Sequence, residues 1–407
     1  MNCRFCAARL QDVFLDLGSA PPSNAFLTAE ALTAPETWFP LKLYTCEKCQ
    51  LVQADEVQSH AALFDHDYVY YSSFSRTWLS HAECFVEQAV ARLALDEHSL
   101  VMEIASNDGY LLQYVAARNI PCVGIEPTHG TAQAAQQRGI ETIENFFGRD
   151  FAAEFVQERS AVDLIIANNV LAHVPDLNDF VAGMALALAN NGTITVEFPH
   201  LMELVAGRQF DTIYHEHFSY FSLHTVRAVF AAHGLRVWDV ELLTTHGGSL
   251  RIWATHERSQ RIETPAVAAL LVLETQAGMQ TVDYYHGFQT QADGVKNDCL
   301  VFLLEQHRAG RKVAGYGAAA KGNTLLNYAG VKPDLLPYVV DASPHKQGTW
   351  LPGSRIPVVN ESRLREDRPD FVLILPWNLR EEIVAQLSYI RDWGGRFVTF
   401  IPSLQVG

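Results

Sequence analysis

No apolar run in these 407 residues is long enough to span a bilayer. The N-terminus, MNCRFCAARL, has no apolar signal core. Both absences lead to the expectation of a cytoplasmic protein. Positive charge is scarce too. There are 30 Lys and Arg against 46 Asp and Glu, a formal net charge of −16. Nucleic acid and anionic membrane are therefore not expected as partners, although a local basic pocket can still hold an anionic substrate. Cysteine is sparse and odd in number, seven in all, which argues against a disulfide framework. Four of the seven form two pairs, Cys3-x-x-Cys6 and Cys46-x-x-Cys49. In a cytosolic chain that doubled spacing reads as one tetrahedral structural zinc with no open position. An iron–sulfur centre or a redox pair is the alternative, but a redox pair needs no second CxxC. Cys84, Cys122 and Cys299 read as isolated thiols.

The dinucleotide fingerprint is also missing. Residues 100–112, LVMEIASNDGYLL, run from an apolar strand through a short polar turn into a helix-compatible segment. Methyltransferases that use S-adenosylmethionine (SAM) usually place an acid there, then three glycines at alternate positions. Here the acid is Glu103, and the glycine positions hold Ala105, Asn107 and Gly109, with Asp108 before the last. Asn tolerates left-handed backbone, so the turn remains feasible. SAM has no phosphate and needs no full glycine cradle. Glu126, with Pro127 after it, ends the next apolar run, where an acid can accept from both ribose hydroxyls. Any βαβ unit with an acidic turn would look similar.

The βα alternation continues to about residue 197 and predicts a doubly wound parallel sheet. Ligands in such folds sit beyond the C-terminal ends of the strands. The candidates there are Asn145, Phe146 and Phe147, then Asn168, Asn169 and His173, then Glu197, Pro199 and His200. Residues 210–222, FDTIYHEHFSYFS, break the pattern with a polar aromatic cluster that is costly to bury without partners. It reads as a solvated loop or as a base in a pocket. Residues 65–75, DHDYVYYSSFS, are similarly aromatic. Residues 17–27 read as a Pro- and Ser-rich loop. Two strands then flank the turn His246, Gly247, Gly248, and Arg251 either reaches an anion or sits on a solvated strand face.

The organisation expected is a zinc module at 1–65, a SAM-type domain at 66–255 and a second, smaller Rossmann-like unit at 256–407. Long helices over 264–308 lead into that unit. Its first turn, with Tyr316, Gly317, Ala318 and Lys321, resembles a phosphate-binding turn at a helix N-terminus, flanked by Asn323. NAD binding and nucleotide-sugar binding both stay open for it on spacing alone.

In the order of these parts the chain resembles the SAM-dependent nucleotide-sugar C-methyltransferases of branched deoxysugar biosynthesis. The resemblance rests on the two CxxC pairs, EIASNDG at 103–109, GIEP at 124–127, ANNVLAHV at 167–174, FDTIYHEHF at 210–218, HGG at 246–248 and GYGAAAK at 315–321. It implies a nucleotide-linked 4-keto-deoxysugar as substrate, methylated at C-3, or in some members at C-5; C-3 is the expectation here. It also implies that His217 is the catalytic base, with Tyr68, Tyr214 and Glu216 around the keto-sugar and Tyr70 nearby. Two alternatives stay open: O- or N-methylation of a similar sugar, and a non-catalytic nucleotide-sugar-binding protein. The expected state is a monomer or weak homodimer.

Overall fold

A computed structural model of the chain describes residues 1–57 and 71–407. Tyr68 and Tyr70 lie outside the described residues. The first module is an antiparallel sheet in the order Asp12–Ala20, Phe39–Thr45, Val52–Ala54, Ser219–Tyr220. Its first strand corrects the loop expected from residue 17. Residues 17–20 continue the strand because pairing with Phe39–Thr45 satisfies their backbone, and Pro21 and Pro22 end it. The last strand comes from far along the chain: Val52 pairs with Tyr220 and Gln53 with Ser219. The aromatic segment at 210–222 is thus tied to the cysteine module.

The central sheet runs Leu235–Leu243, Ser249–His256, Leu188–Pro199, Val162–Asn168, Val101–Ile104, Cys122–Ile125, Thr142–Ile143. Five adjacent strands, from Leu188–Pro199 to Thr142–Ile143, are parallel. Ser249–His256 runs antiparallel to both its neighbours. Val101–Ile104 is buried along its whole length, as a middle strand covered on both faces must be. Helix Arg76–Leu93 enters the domain with Ser75 as its N-cap, accepting from Trp78 N–H.

Helices Pro265–Ala277 and Phe288–Arg308 lead to the last unit, and the second packs on the first module. Phe14 and Phe288 stack with centroids 4.8 Å apart, and both are buried. Each such ring contributes roughly 1.5–3 kcal/mol by burial. One apolar core therefore runs from Phe14, Leu15 and Leu43 to Leu325 and Leu373 of the last unit. That unit's sheet is Val358–Val359, Val339–Val340, Val313–Tyr316, Phe371–Ile374, Arg396–Thr399, Gln405–Val406. Its strands are parallel except the last. Among the described residues, no helix is long and apolar enough to cross a membrane.

Candidate active site

The strand ends of both Rossmann-like units open into one cavity of about 2150 Å³. A single small-molecule site is typically about 300–1,000 Å³, so this space suits two ligands of nucleotide size.

On the central-sheet side, the turn after Val101–Ile104 adopts the conformation that three alternate glycines would give. Ala105, Asn107 and Gly109 all have left-handed backbone, with φ of 57°, 51° and 75°. The alanine holds this at a cost of roughly 1–2 kcal/mol. Ala105 and Asn107 line the cavity, beside Glu126 and Pro127. Glu126 accepts from Asn107 N–H at 2.8 Å and from Thr128 N–H at 2.9 Å. Asn145, Phe146, Phe147, Asn168, Asn169 and His173 line the same space. The residues present therefore fit SAM: an acid for the ribose, a left-handed turn and an aromatic wall.

Other expected residues lie behind this surface. Glu103 is buried under the turn, where burial raises its carboxyl well above the usual range. Asp108 faces away and is held by Ser73 and Arg138. Gly109 packs against Ala135 and Ile140. Neither reading of Arg251 holds. It is buried, directly opposite Glu197 in the antiparallel register, and donates to Glu197 at 2.7 Å and Glu241 at 3.1 Å. Glu197 is fully buried and also bonds His81 and Thr245. Burial alone would raise its carboxyl, but His81, Arg251 and Thr245 hold it at about 2. It is a saturated ion cluster behind the turn that Thr245 begins, and not a strand-end ligand. His200 is buried as well, with Nε2 2.8 Å from Glu274. Pro199, His246 and Gly247 line the cavity, while Gly248 lies against Glu203.

The segment 210–218 forms the chamber between the two units. Tyr214, Glu216 and His217 all line it. The Tyr214 and His217 rings are 4.0 Å apart. His217 Nδ1 lies 2.9 Å from the Thr212 carbonyl oxygen, which can only accept. The proton therefore sits on Nδ1, and Nε2 keeps the lone pair. Burial, reinforced by His173, holds His217 neutral, well below the usual imidazole range. Glu216 is pushed up to about 7 by burial, against the pull of Asn24. Asn24, from the loop after the first strand, donates to Glu216 at 2.7 Å. His215 points elsewhere, with Nε2 3.3 Å from Phe39 O.

Helix Ala320–Ala329 of the last unit braces this chamber at three points. Asn323 donates to Ser23 O at 2.6 Å, next to Asn24. Thr324 Oγ1 donates to Ile213 O at 2.8 Å, next to Tyr214. Lys321 Nζ reaches His246 O at 3.2 Å and Asn378 Oδ1 at 3.1 Å, and it lines the cavity. Burial lowers Lys321 to about 8, with Asp211 opposing. The turn before the helix is not an open phosphate cradle. A Cβ on Gly317 would overlap Pro376, and Ala318 N–H is already donated to Asp341 at 2.7 Å. Tyr316 is bonded to Gln386 through its hydroxyl and stays outside the cavity, as does Asn323. Gly247 has φ of 93° and meets the Trp377 ring where any Cβ would stand, so the two units touch there.

Sequence reasoning passed over Asn24, Trp78 and Trp377. The Pro-Pro-Ser-Asn run before residue 25 was the signal for Asn24. Trp78 stacks on Tyr110 at 5.9 Å and meets His246 edge-on at 5.1 Å, forming a wall that helical periodicity reads as core.

Away from the cavity, Cys3, Cys6, Cys46 and Cys49 place their four sulfurs within 4.8 Å of one another. The Cys3–Cys49 and Cys6–Cys46 separations are 3.6 and 3.5 Å. Four thiolates about 2.3 Å from one zinc stand about 3.8 Å apart, so the set fits. Gln53 Nε2 donates to Cys3 Sγ at 3.2 Å, a bond that suits a thiolate.

Known proteins match the same parts. A putative zinc binding domain matches residues 3–64, a methyltransferase domain 78–240, and a C-methyltransferase C-terminal domain 244–402. The C-methyltransferase NovU of Streptomyces niveus is 34% identical over 408 residues, covering 100% of this chain and 96% of that protein. Among solved structures, the magnesium protoporphyrin IX methyltransferase of Synechocystis PCC 6803 with bound SAM is 14% identical, with a TM-score of 0.33 over 44% of this chain and 81% of that one. A SAM-dependent methyltransferase of Anabaena variabilis is 11% identical, with a TM-score of 0.36 over 42% of this chain and 83% of that one.

Proposed function

Because the chain belongs to the SAM-dependent C-methyltransferases, we propose that it methylates the carbon next to the ketone of a nucleotide-linked 4-keto-deoxysugar, at C-3. SAM and a structural zinc are its cofactors. The observation that carries the substrate reading is the neutral, buried His217, which keeps its Nε2 lone pair in a cavity with room for a second nucleotide.

The turn of Ala105 and Asn107, with Glu126, would hold SAM, and Cys3, Cys6, Cys46 and Cys49 hold the zinc. When bound, SAM supplies an electrophilic methyl group. The protein's own residues make the substrate carbon nucleophilic. A hydrogen beside a ketone is weakly acidic because the resulting carbanion delocalises as an enolate. His217 Nε2 takes that proton, a contribution of about 10²–10⁴-fold. Its Nδ1–H bond to Thr212 O fixes the ring and favours the positive charge it gains. The Tyr214 hydroxyl donates to the enolate oxygen. Glu216, ionising near neutrality, orients the sugar with Asn24 behind it.

The test is mass spectrometry of the protein incubated with SAM and a panel of nucleotide-linked 4-keto sugars. A mass gain of one methyl is expected in the product, and in heavy water the recovered unmethylated substrate should carry deuterium at the carbon that reacts. No methylation of any member would reject the substrate class.

A further inference from the structure

The zinc module reaches into the methyltransferase domain through one side chain. Arg4 sits inside the first cysteine pair, between Cys3 and Cys6. Its guanidinium donates to two carbonyls on separate segments: Nη2 to Ala54 O at 2.7 Å and Nη1 to Pro175 O at 2.9 Å. It also stands 5.3 Å from the ring centroid of Phe218, the residue after His217. The same segments are laced by backbone bonds. Ala54 N–H donates to Phe218 O at 3.0 Å, and Phe218 N–H donates to Ala172 O at 2.7 Å. Arg4 therefore joins the segment that carries His217 to the loop 172–175, which follows the central-sheet strand Val162–Asn168 and lines the cavity. The side chain is held at its root as well. Arg4 N–H donates to Gln53 Oε1 at 2.9 Å, and Gln53 Nε2 is the donor to Cys3 Sγ. Arg4 O accepts from Asn178 Nδ2 at 3.2 Å, on helix Leu177–Ala187 of the central domain.

We propose that Arg4 is a positioning residue for methyl transfer: it fixes the distance between the chamber of Tyr214, Glu216 and His217 and the cofactor side of the cavity. This role rests on the proposed C-methylation with His217 as the base, and it gives the zinc module a task in that reaction. Proton removal takes place within the chamber, between the sugar and residues 214–217. Methyl transfer crosses to the chamber from the central-sheet side. Only the second step depends on the spacing between the two sides, and a misplacement of about 1 Å can cost about 10²-fold. A guanidinium suits the task. Its planar fork presents N–H groups at a fixed separation, so it binds two carbonyls at once and sets their relation. Its charge makes each bond stronger than a neutral one.

Two rates measured on the same samples of the full chain test it, with the member of the sugar panel that wild type methylates. Proton removal is read by NMR as deuterium entering the substrate carbon in heavy water, with S-adenosylhomocysteine in place of SAM. Methyl transfer is read by mass spectrometry at saturating SAM. Arg4→Gln should keep its zinc, by elemental analysis, and exchange deuterium within a few-fold of wild type. Its methyl transfer should fall about 10–100-fold, so the ratio of the two rates shifts by about tenfold or more. A loss of folded chains lowers both rates alike and leaves the ratio where it was. A wild-type ratio in Arg4→Gln would overturn the role of Arg4 and leave the substrate reading intact. If Arg4→Gln does not fold, Arg4→Lys decides. It keeps the charge but not the fork, and its ratio should shift the same way by a few-fold or more. A wild-type ratio there overturns the role. A wild type that methylates no member of the panel would reject the substrate reading, and this role with it.

Discussion

Asn24 Nδ2 donates to Glu216 Oε1 across 192 residues, so the loop beside the zinc module completes the chamber. Asn24→Ala would leave a buried carboxyl without its donor. Losing a hydrogen bond to a charged group costs roughly 1.5–3 kcal/mol. Turnover should fall about tenfold or more, while SAM affinity, set by the turn of Ala105 and Asn107 with Glu126, should hold. A steady-state assay beside SAM calorimetry checks both. Unchanged turnover would remove Glu216 from the chemistry.

The same carboxyl gives stability a pH signature. Glu216 ionises near 4.5 in the unfolded chain and near 7 in the fold, chiefly because it is buried. Between those values the fold keeps a proton that the unfolded chain has released. Its contribution to stability therefore falls as pH rises through the window, and the loss is complete above about 7. A shift of this size corresponds to about 3 kcal/mol. Glu216→Gln should match wild type in Tm near pH 4 and gain on it progressively up to pH 8. A Tm difference independent of pH would mean that Glu216 is not a buried, late-ionising acid.

Zinc removal should cost activity although the metal lies outside the cavity. Val52–Ala54, next to the second cysteine pair, holds Ser219–Tyr220 in register, and Tyr214 to His217 lie just before that strand. Cys46→Ser should lower zinc content, measured by elemental analysis, and should lower Tm and turnover together. Full turnover in a zinc-free protein would break the link.

The parts that were legible in the sequence are those fixed by local chemistry. Two CxxC pairs can converge on one ion wherever the chain goes between them. Ala105, Asn107 and Gly109 showed the alternate spacing of a left-handed turn even with only one of its three glycines. Illegible were contacts set by register or by distant packing. Glu197 ended a strand, as a ligand would, but the antiparallel neighbour set Arg251 opposite it and closed the ion pair. Lys321 and Asn323 had the look of a phosphate turn. Gly317 instead meets Pro376, and the helix spends its polar groups on Ser23, Ile213 and His246.

Glu126→Ala should weaken SAM by one to two orders of magnitude, the equivalent of roughly 1.5–3 kcal/mol for hydrogen bonds to a charged group. The loss has two sources. The ribose hydroxyls lose their acceptor, and Asn107 N–H loses the bond that holds the turn. Glu126→Gln separates them, since the amide still offers an acceptor oxygen, and it should recover part of the affinity. Calorimetry showing wild-type affinity in Glu126→Ala would mean that SAM is held elsewhere in the cavity.

His217 and His215 are two residues apart and face different surroundings, which makes one the control for the other. His217 lines the cavity, gives its Nδ1 proton to Thr212 O and keeps Nε2 free to accept. His215 contacts Phe39 of the first module through its ring and its Nε2, away from the cavity. Burial keeps both neutral, so neutrality alone does not choose between them. Position does, because only a base that reaches the substrate can remove its proton. His217→Asn retains a side-chain amide of similar reach but has no basic nitrogen. It should still bind SAM and substrate, yet lose about 10²–10⁴-fold in turnover. It should also lose deuterium exchange at the substrate carbon, followed by NMR in heavy water. His215→Asn should keep both within a few-fold, with any effect confined to Tm. Exchange is the sharper readout, since it reports proton removal whether or not methyl transfer follows. If His217→Asn exchanges deuterium at the wild-type rate, the base is another group, and Tyr214, 4.0 Å away ring to ring, is the next to test.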